Sequence, residues 1–255
     1  MTSAIVHVFP CLSDNYGFLL HDPATGETAC IDTPDASRIL AEADARGWRI
    51  TQIWNTHWHP DHAGGNDAVK AAAGCSIVGP RGEAHRIPTL ERTLVEGDTV
   101  RLGALTARVL DTPGHTAGHI VYHLPDEAIA FVGDTLFALG CGRLFEGTPA
   151  QMWDSLGKLR ALPPETVVYC AHEYTAANAA FALSVDPGNA ALRDYADGVA
   201  KKRSRGEPTI PTSIGAEIAA NPFLRADAPN LQKAMGHPGD AVATFGEIRE
   251  RKNRF

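Results

Sequence analysis

The chain has few cysteines and no long hydrophobic run, and both shortages restrict the kinds of protein it can be. Its five cysteines are odd in number and scattered among 255 residues, and no C-x-x-C pair occurs. A disulfide framework or a cysteine zinc site is therefore not expected. No stretch approaches the roughly 18 apolar residues of a membrane-spanning helix. The first ten residues, MTSAIVHVFP, also lack the basic and apolar regions of a signal peptide, so we expect a cytoplasmic protein.

An excess of basic residues is also absent. The formal net charge is −7 at pH 7, with 23 Lys and Arg against 30 Asp and Glu. Proteins that bind nucleic acid neutralise phosphates with a basic surface, so this charge argues against a nucleic-acid partner. The exception is the C-terminal stretch, where Arg249, Arg251, Lys252 and Arg254 lie close together. Such a cluster suits a small anionic ligand, although a solvated terminal helix has the same pattern.

Short β-rich segments alternate with helical segments over the N-terminal part of the chain. Hydrophobic periodicity and turn residues predict strands at 4–9, 16–20, 28–31, 50–54, 76–78, 99–102, 105–110, 119–124, 128–132 and 167–170. Helices are predicted over 35–46, ending at Gly47, and over 66–73. After about residue 173 the chain becomes alanine-rich, with helices predicted over 176–183 and 189–205 and no strand. The sequence therefore predicts an α/β domain over residues 1–173 and a smaller helical domain over residues 174–255.

The segment after the predicted strand at 50–54 concentrates potential metal ligands. Residues 56–62 read THWHPDH and lead into Gly64-Gly65. Imidazole and carboxylate are the ligand types that suit zinc, iron or manganese. His57 and His59 are two apart in an extended segment and can share one ion, whereas Asp61 and His62 lie beyond the proline and can reach another. A single histidine is most often an ordinary core or surface residue, but this H-x-H-x-D-H pattern after a strand indicates a metal site.

Three further candidate ligands follow later strands. They are His115 in TPGH, Asp134 in GDT and His172 in AHE. Loops at strand ends are where a rigid scaffold brings side chains from distant segments together. The sequence therefore offers seven candidate metal ligands in total.

This set of residues resembles the metallo-β-lactamase superfamily over roughly residues 1 to 175. The resemblance implies an α/β fold, the αβ/βα four-layer sandwich of that superfamily, with a C-terminal α-helical domain added here. It further implies that one ion is held by His57, His59 and His115, the other by Asp61, His62 and His172, with Asp134 bridging the two. Aspartate suits the bridge because one carboxylate can bind two ions, whereas a neutral imidazole nitrogen cannot. Asp61 and Asp134 are thus the candidate catalytic residues.

Other segments resemble a narrower group, the hydroxyacylglutathione hydrolases or glyoxalase II enzymes. These segments are LSDNY at 12–16, GCGRLFEGT at 140–148, HEYT at 172–175 and NPFLR at 221–225. By this resemblance, glutathione is held by Arg143, Phe145, Tyr174, Arg249 and Lys252. Cationic side chains suit glutathione because it carries two carboxylates. Phe145 lacks the hydroxyl of the tyrosine that many members have there, and Asn253 replaces a frequent aspartate; both departures can weaken or retune glutathione binding.

The resemblance implies a metal-dependent thioester hydrolase. It would cleave an S-(2-hydroxyacyl)glutathione, such as S-D-lactoylglutathione, to glutathione and a 2-hydroxy acid such as D-lactate, in methylglyoxal detoxification. The nucleophile would be a hydroxide bound to two divalent ions, with zinc the first choice and iron or manganese the alternatives. We expect a monomer with neither nucleic acid nor membrane as partner. Two alternatives stay open: a glutathione persulfide dioxygenase with a single iron, and a non-catalytic metal-binding scaffold.

Overall fold

The computed structural model describes residues 4–255, which form two compact units. The first unit comprises the chain up to Asp111 together with Ala117–Gly133, and the second comprises Thr112–Thr116 and Asp134–Phe255. The loop that carries His115 therefore belongs to the second unit, although the strands on either side of it belong to the first. No helix within residues 4–255 is both long enough and apolar enough to cross a membrane.

A six-stranded mixed sheet forms one part of the first unit. Its strands, in spatial order, are β1 (Ile5–Cys11), β2 (Asn15–Asp22), β3 (Glu27–Ile31), β4 (Arg49–Trp54), β5 (Ser76–Pro80) and β6 (Arg92–Leu94). β1, β2 and β3 are antiparallel neighbours, whereas β3 to β6 run parallel. Parallel neighbours need crossover connections. Helix α1 (Ala36–Ala45) connects β3 to β4, and α2 (Pro60–Ala63) and α3 (Asn66–Ala73) lie between β4 and β5.

The core of this part is formed by one face of α1 and α3 and the apolar side chains of the sheet. Ile39 and Ala43 lie four positions apart on α1 and are buried in the same cluster as Ile53 and Ile77 of the sheet. Burying each of the isoleucine side chains contributes about 1.5–3 kcal/mol. The Asp35 carboxylate caps α1 by accepting a hydrogen bond from the Arg38 amide at 3.1 Å. The end of β4, where the predicted metal loop begins, is thus held by a packed layer.

Four further strands of the first unit pair in an antiparallel meander. They are β7 (Thr99–Leu102), β8 (Leu105–Asp111), β9 (Ile120–Leu124) and β10 (Ile129–Gly133). β8 buries Leu105, Ala107 and Val109 and leaves Arg108 exposed, as expected for a strand with one face in the core. β9 and β10 are buried along their whole length. Asp134 therefore directly follows a fully buried strand.

The second unit contains short strands and most of the helices. Its elements are β11 (Leu136–Phe137), β12 (Gly140–Cys141), α4 (Pro149–Arg160), β13 (Val167–Cys170), α5 (Thr175–Val185), α6 (Ala190–Ser204), β14 (Thr212–Ser213), α7 (Ile214–Ala220), α8 (Pro229–Met235) and α9 (Ala241–Arg254). Helix α4, which the sequence patterns did not predict, begins with a capping box formed by Thr148 and Gln151 and has Pro149 in its first turn.

The helices predicted after residue 173 correspond to α5 and α6, but the expectation of no strand there is wrong. Thr212 and Ser213 pair with Val168 and Val167 as the antiparallel strand β14. A two-residue strand directly after Pro211 is too short to show an alternating pattern. The domain boundary between residues 173 and 174 stays a prediction.

Candidate metal centre and substrate-binding residues

The first unit brings together the four candidate ligands of the loop that follows β4. His57 Nε2 lies 3.0 Å from His59 Nδ1, so two imidazole nitrogens converge as ligands of one ion would. Pro60 then begins α2 and turns the chain. Beyond this turn, His62 Nε2 lies 3.6 Å from Asp61 Oδ2. Asp61 Oδ2 also accepts a hydrogen bond from Asn15 Nδ2 at 3.0 Å, which fixes its orientation.

A buried carboxylate, Asp32, orients two of these histidines. Its Oδ2 accepts from His62 Nδ1 at 2.8 Å and from the Thr56 hydroxyl at 2.7 Å. Because that hydroxyl donates its only proton to Asp32, it accepts from Nδ1 of His57 at 3.0 Å. In both imidazoles Nδ1 therefore carries the proton and Nε2 is left as the ligand atom. A carboxylate behind a ligating histidine is the usual way in which proteins orient such ligands.

The backbone of the same loop is held by a second buried polar group. The His62 carbonyl oxygen accepts from the Thr33 amide at 2.7 Å and from Asn55 Nδ2 at 3.1 Å. Asn66 supports Asn55, since its Nδ2 donates to Asn55 Oδ1 at 2.7 Å. These hydrogen bonds fix α2, and with it the side chains of Asp61 and His62.

In the second unit, Asp134 faces two histidines from separate segments. Its Oδ2 lies 3.3 Å from His115 Nε2, and its Oδ1 lies 3.4 Å from His172 Nε2. His115 Nδ1 donates to the carbonyl oxygen of Arg143 at 2.9 Å, which leaves Nε2 as its ligand atom. Each oxygen of one carboxylate is thus directed toward a different imidazole, as in a carboxylate shared between two ions.

The donor chemistry of both units fits divalent metal ions. The donors are imidazole nitrogens and carboxylate oxygens, which bind zinc, iron and manganese. Gly142 leaves the room that Asp134 and His115 need: a Cβ at residue 142 would collide with the carbonyl oxygen of Asp134 and lie 3.1 Å from His115 Nδ1. The His/Asp arrangement therefore supports the use of divalent metal by this protein.

Aromatic rings adjoin the two histidines of the second unit. The Tyr174 ring stacks on His172 with centroids 4.7 Å apart and an interplanar angle of 2°. The Phe145 ring meets His115 edge to face at 5.2 Å. Both residues are solvent-exposed, with 38% of the surface of Tyr174 and 61% of that of Phe145 accessible. Apolar surface next to candidate metal ligands is suited to contact with a substrate.

Three cations of the second unit lie close enough to affect one another. Burial, followed by the positive charges of Arg249 and Arg143, lowers the pKa of Lys252. Lys252 Nζ donates to the Ala177 carbonyl at 3.0 Å, and Arg249 Nη1 donates to the Cys141 carbonyl at 2.8 Å. Within residues 4–255, none of the three cations forms an ion pair with a carboxylate. This excess of positive charge favours an anionic ligand.

Sequence reasoning missed the supporting residues of the first unit, and it did not anticipate the burial of Arg249. Asp32 is a polar residue directly after the buried strand β3, and such a position was the available signal. Asn15 lies in one of the segments that carried the narrower resemblance, but no role was attached to it. Arg249 is 5% exposed and packs over the Phe223 ring, which a basic tail pattern does not indicate.

Comparison with known proteins defines the class first. Residues 20–172 match the family model of the metallo-β-lactamase superfamily. The structure is similar to ETHE1 from Myxococcus xanthus, with a TM-score of 0.72, 28% identity and coverage of 98% of this chain and 91% of that one. The fold is likewise shared with the di-iron-bound form of TTHA1623, with a TM-score of 0.62 at 24% identity, over 86% of this chain and 100% of that one. The chain belongs to the metallo-β-lactamase superfamily, which confirms the predicted fold class.

The narrower family follows from the rest of the chain and from its relatives. Residues 173–255 match the model described as hydroxyacylglutathione hydrolase C-terminus. The hydroxyacylglutathione hydrolase of Hyphomonas neptunium is 58% identical over 98% of this chain and 98% of its own. That of Maricaulis maris is 60% identical over 100% of both chains. The chain is therefore a member of the hydroxyacylglutathione hydrolase family, which confirms the narrower resemblance.

Proposed function

We propose that the protein hydrolyses S-(2-hydroxyacyl)glutathiones, such as S-D-lactoylglutathione, to glutathione and a 2-hydroxy acid. Water adds to the thioester carbonyl carbon, the carbon–sulfur bond breaks, and glutathione leaves with the sulfur. The observation that carries this proposal is the arrangement in the second unit. There, the rings of Phe145 and Tyr174 contact His115 and His172, the two histidines that face Asp134.

The proposed metal ligands follow the division that the family implies. His57, His59 and His115 would hold one divalent ion, Asp61, His62 and His172 the other, and Asp134 would be shared. When bound, two such ions lower the pKa of water toward neutrality and polarise a carbonyl oxygen. We propose zinc as the metal, and the same donors accept iron or manganese.

The remaining chemistry is assigned to the chain's own side chains. Asp32 and Thr56 keep His62 and His57 in the tautomers that present Nε2. The carboxylates of the glutathione moiety are bound by Arg143, Arg249 and Lys252. These cations are not paired with carboxylates in the part of the chain that the structure describes, so their charge stabilises an anionic ligand. A thiolate leaves without being protonated first, so no side chain has to act as a strong acid at sulfur.

The decisive experiment measures loss of the thioester absorbance of S-D-lactoylglutathione with purified protein of known metal content. Turnover should disappear after removal of metal by a chelator and return when zinc is added. No turnover by a fully metallated sample would contradict the proposal. Oxygen consumption with glutathione persulfide would then support the dioxygenase alternative, and inactivity in both assays would support a metal-binding scaffold. The monomeric state and the cytoplasmic location stay predictions, which sedimentation and cell fractionation can test.

A further inference from the structure

A short hairpin joins the candidate metal ligand Asp134 to the proposed substrate-binding residues Arg143 and Phe145. The hairpin consists of β11 and β12 and spans residues 136–141, which we call the substrate hairpin. Its tip contains Leu139, which is fully buried and has a φ of 57°. This left-handed conformation is unfavourable for leucine, so the surrounding structure has to hold the tip in place.

Two buried side chains of the helical part hold that tip through its backbone. Glu217 Oε2 accepts a hydrogen bond from the Leu139 amide at 2.8 Å. Asn221 Nδ2 donates to the carbonyl oxygens of Gly140 at 2.9 Å and Phe137 at 3.2 Å. Asn221 Nδ2 also lies 2.9 Å from Glu217 Oε2, so the two side chains act as one group.

Two further carbonyls of the hairpin segment are bound in the same manner. Asn178 Nδ2 donates to the Ala138 carbonyl at 3.1 Å, and Arg249 Nη1 donates to the Cys141 carbonyl at 2.8 Å. Polar side chains of the helical part thus bind four backbone carbonyls within five residues. A buried backbone group that loses its partner is costly, so these contacts specify one conformation of the hairpin.

Glu217 is itself fixed from the side opposite the hairpin. It is fully buried, and its Oε1 accepts from the Thr212 hydroxyl at 2.7 Å and lies 3.0 Å from the Tyr195 hydroxyl. Tyr195 belongs to α6 and Thr212 to β14, whereas Glu217 belongs to α7 and Asn221 is the C-cap residue of that helix. The group therefore links three elements of the helical part to the substrate hairpin.

We infer that Glu217 and Asn221 are positioning residues for substrate binding, which act through the substrate hairpin on Arg143 and Phe145. This inference rests on the proposed function, because it assumes that these two side chains contact the glutathione moiety. Neither Glu217 nor Asn221 has to touch substrate or metal for this role. Their loss should therefore weaken glutathione binding while the chemical step and the metal content persist.

The test compares Asn221→Ala with Asn189→Ala, a matched control in the same unit. Asn189 caps α6 by accepting from the Leu192 amide at 3.2 Å and donates to the Ala219 carbonyl at 3.0 Å, without a hydrogen bond to the substrate hairpin. For Asn221→Ala we expect a KM about tenfold higher, with kcat within about twofold and wild-type metal content. Calorimetry with glutathione should show a parallel loss of affinity. Asn189→Ala should lower the melting temperature with KM unchanged.

A second pair of variants separates positioning from general damage. Glu217→Gln keeps an acceptor for Leu139 and Asn221, and its amide can donate to the Tyr195 or Thr212 hydroxyl, so we expect a KM within about twofold of wild type. Glu217→Ala removes the acceptor and should behave like Asn221→Ala. An unchanged KM in both alanine variants would overturn the inference, as would an equal rise in Asn189→Ala. If wild-type protein itself does not turn over, the proposed function fails, and glutathione affinity still tests the hairpin.

Discussion

The two units supply candidate metal ligands in different ways. In the first unit, four ligands come from residues 57–62 of one loop, and a single carboxylate, Asp32, orients two of them. In the second unit, three ligands come from three separate segments, and two of them contact the rings of Phe145 and Tyr174. Damage in the first unit should therefore affect metal binding alone, whereas damage in the second can affect metal binding, substrate binding or both.

The largest effect is expected for Asp134→Ala. Because each oxygen of Asp134 faces a different histidine, its loss removes a donor from both proposed ions. We expect kcat/KM to fall by about 10³-fold or more, with loss of bound metal, since two-metal catalysis needs both ions. Activity and metal content would be measured on the same sample. Asp126→Ala, at an exposed turn, is the control, and full metal content in Asp134→Ala would contradict the shared-ligand role.

A smaller effect, confined to the first unit, is expected for Asp32→Asn. Oδ1 of the Asp32 carboxylate accepts a hydrogen bond from the Thr56 amide. Its Oδ2 accepts from the Thr56 hydroxyl and from His62 Nδ1. In either orientation the NH2 group of the asparagine faces one of these donors, so the contacts by which Asp32 holds Thr56 and His62 cannot all form. We expect metal affinity about 10- to 100-fold weaker, the usual cost of losing a partner behind a ligand. Chelator competition measures this affinity, and glutathione affinity, measured by calorimetry, should not change in proportion.

The complementary variant in the second unit is Lys252→Ala. Removal of one cation from the group with Arg143 and Arg249 should raise KM about tenfold and leave kcat within about twofold, because the lost interaction is made in the ground and transition states alike. Metal content should equal that of wild type. Lys201→Ala, at an exposed position of α6, is the control. A fall in kcat with unchanged KM would assign Lys252 to the chemical step and remove the contrast between the units.

The difference between adjacent ligands in the first unit and dispersed ligands in the second also explains what the sequence could and could not predict. The H-x-H-x-D-H loop is readable because its ligands are adjacent, and strands β1 to β5 have clear period-two or continuous apolar patterns. The dispersed ligands His115, Asp134 and His172 were predicted as ends of strands, and the resemblance supplied their grouping. The fold class and the family were therefore predictable from the sequence.

Supporting contacts were not predictable, because they depend on which distant residues pack together. Asp32 and His62 are 30 positions apart, and Glu217 and Leu139 are 78 positions apart, so no local pattern relates them. The strand β14 has two residues and carries no periodicity. The sequence pattern placed Arg249 in a basic cluster suited to an anionic ligand or to solvent, and it did not indicate that the guanidinium packs against Phe223 and donates to the Cys141 carbonyl. In each case tertiary packing, which single-sequence patterns do not encode, decides the contact.

The smallest predicted effect concerns pH and the second unit alone. Burial and the neighbouring charges of Arg249 and Arg143 lower the pKa of Lys252, so its cation is lost at a lower pH than that of an ordinary lysine. The contribution of the Lys252 charge to the affinity for an anionic ligand should be fully present below this pKa and should be lost as pH rises through it. Over the alkaline range below pH 10.5, the ordinary lysine pKa, we expect a greater loss of S-methylglutathione affinity in wild type than in Lys252→Arg, whose guanidinium stays charged. Calorimetry across this range compares the two proteins, and the ligand's own titration cancels because it is common to both. Parallel profiles would show that Lys252 keeps its proton throughout, and that the cation group does not tune binding through this residue.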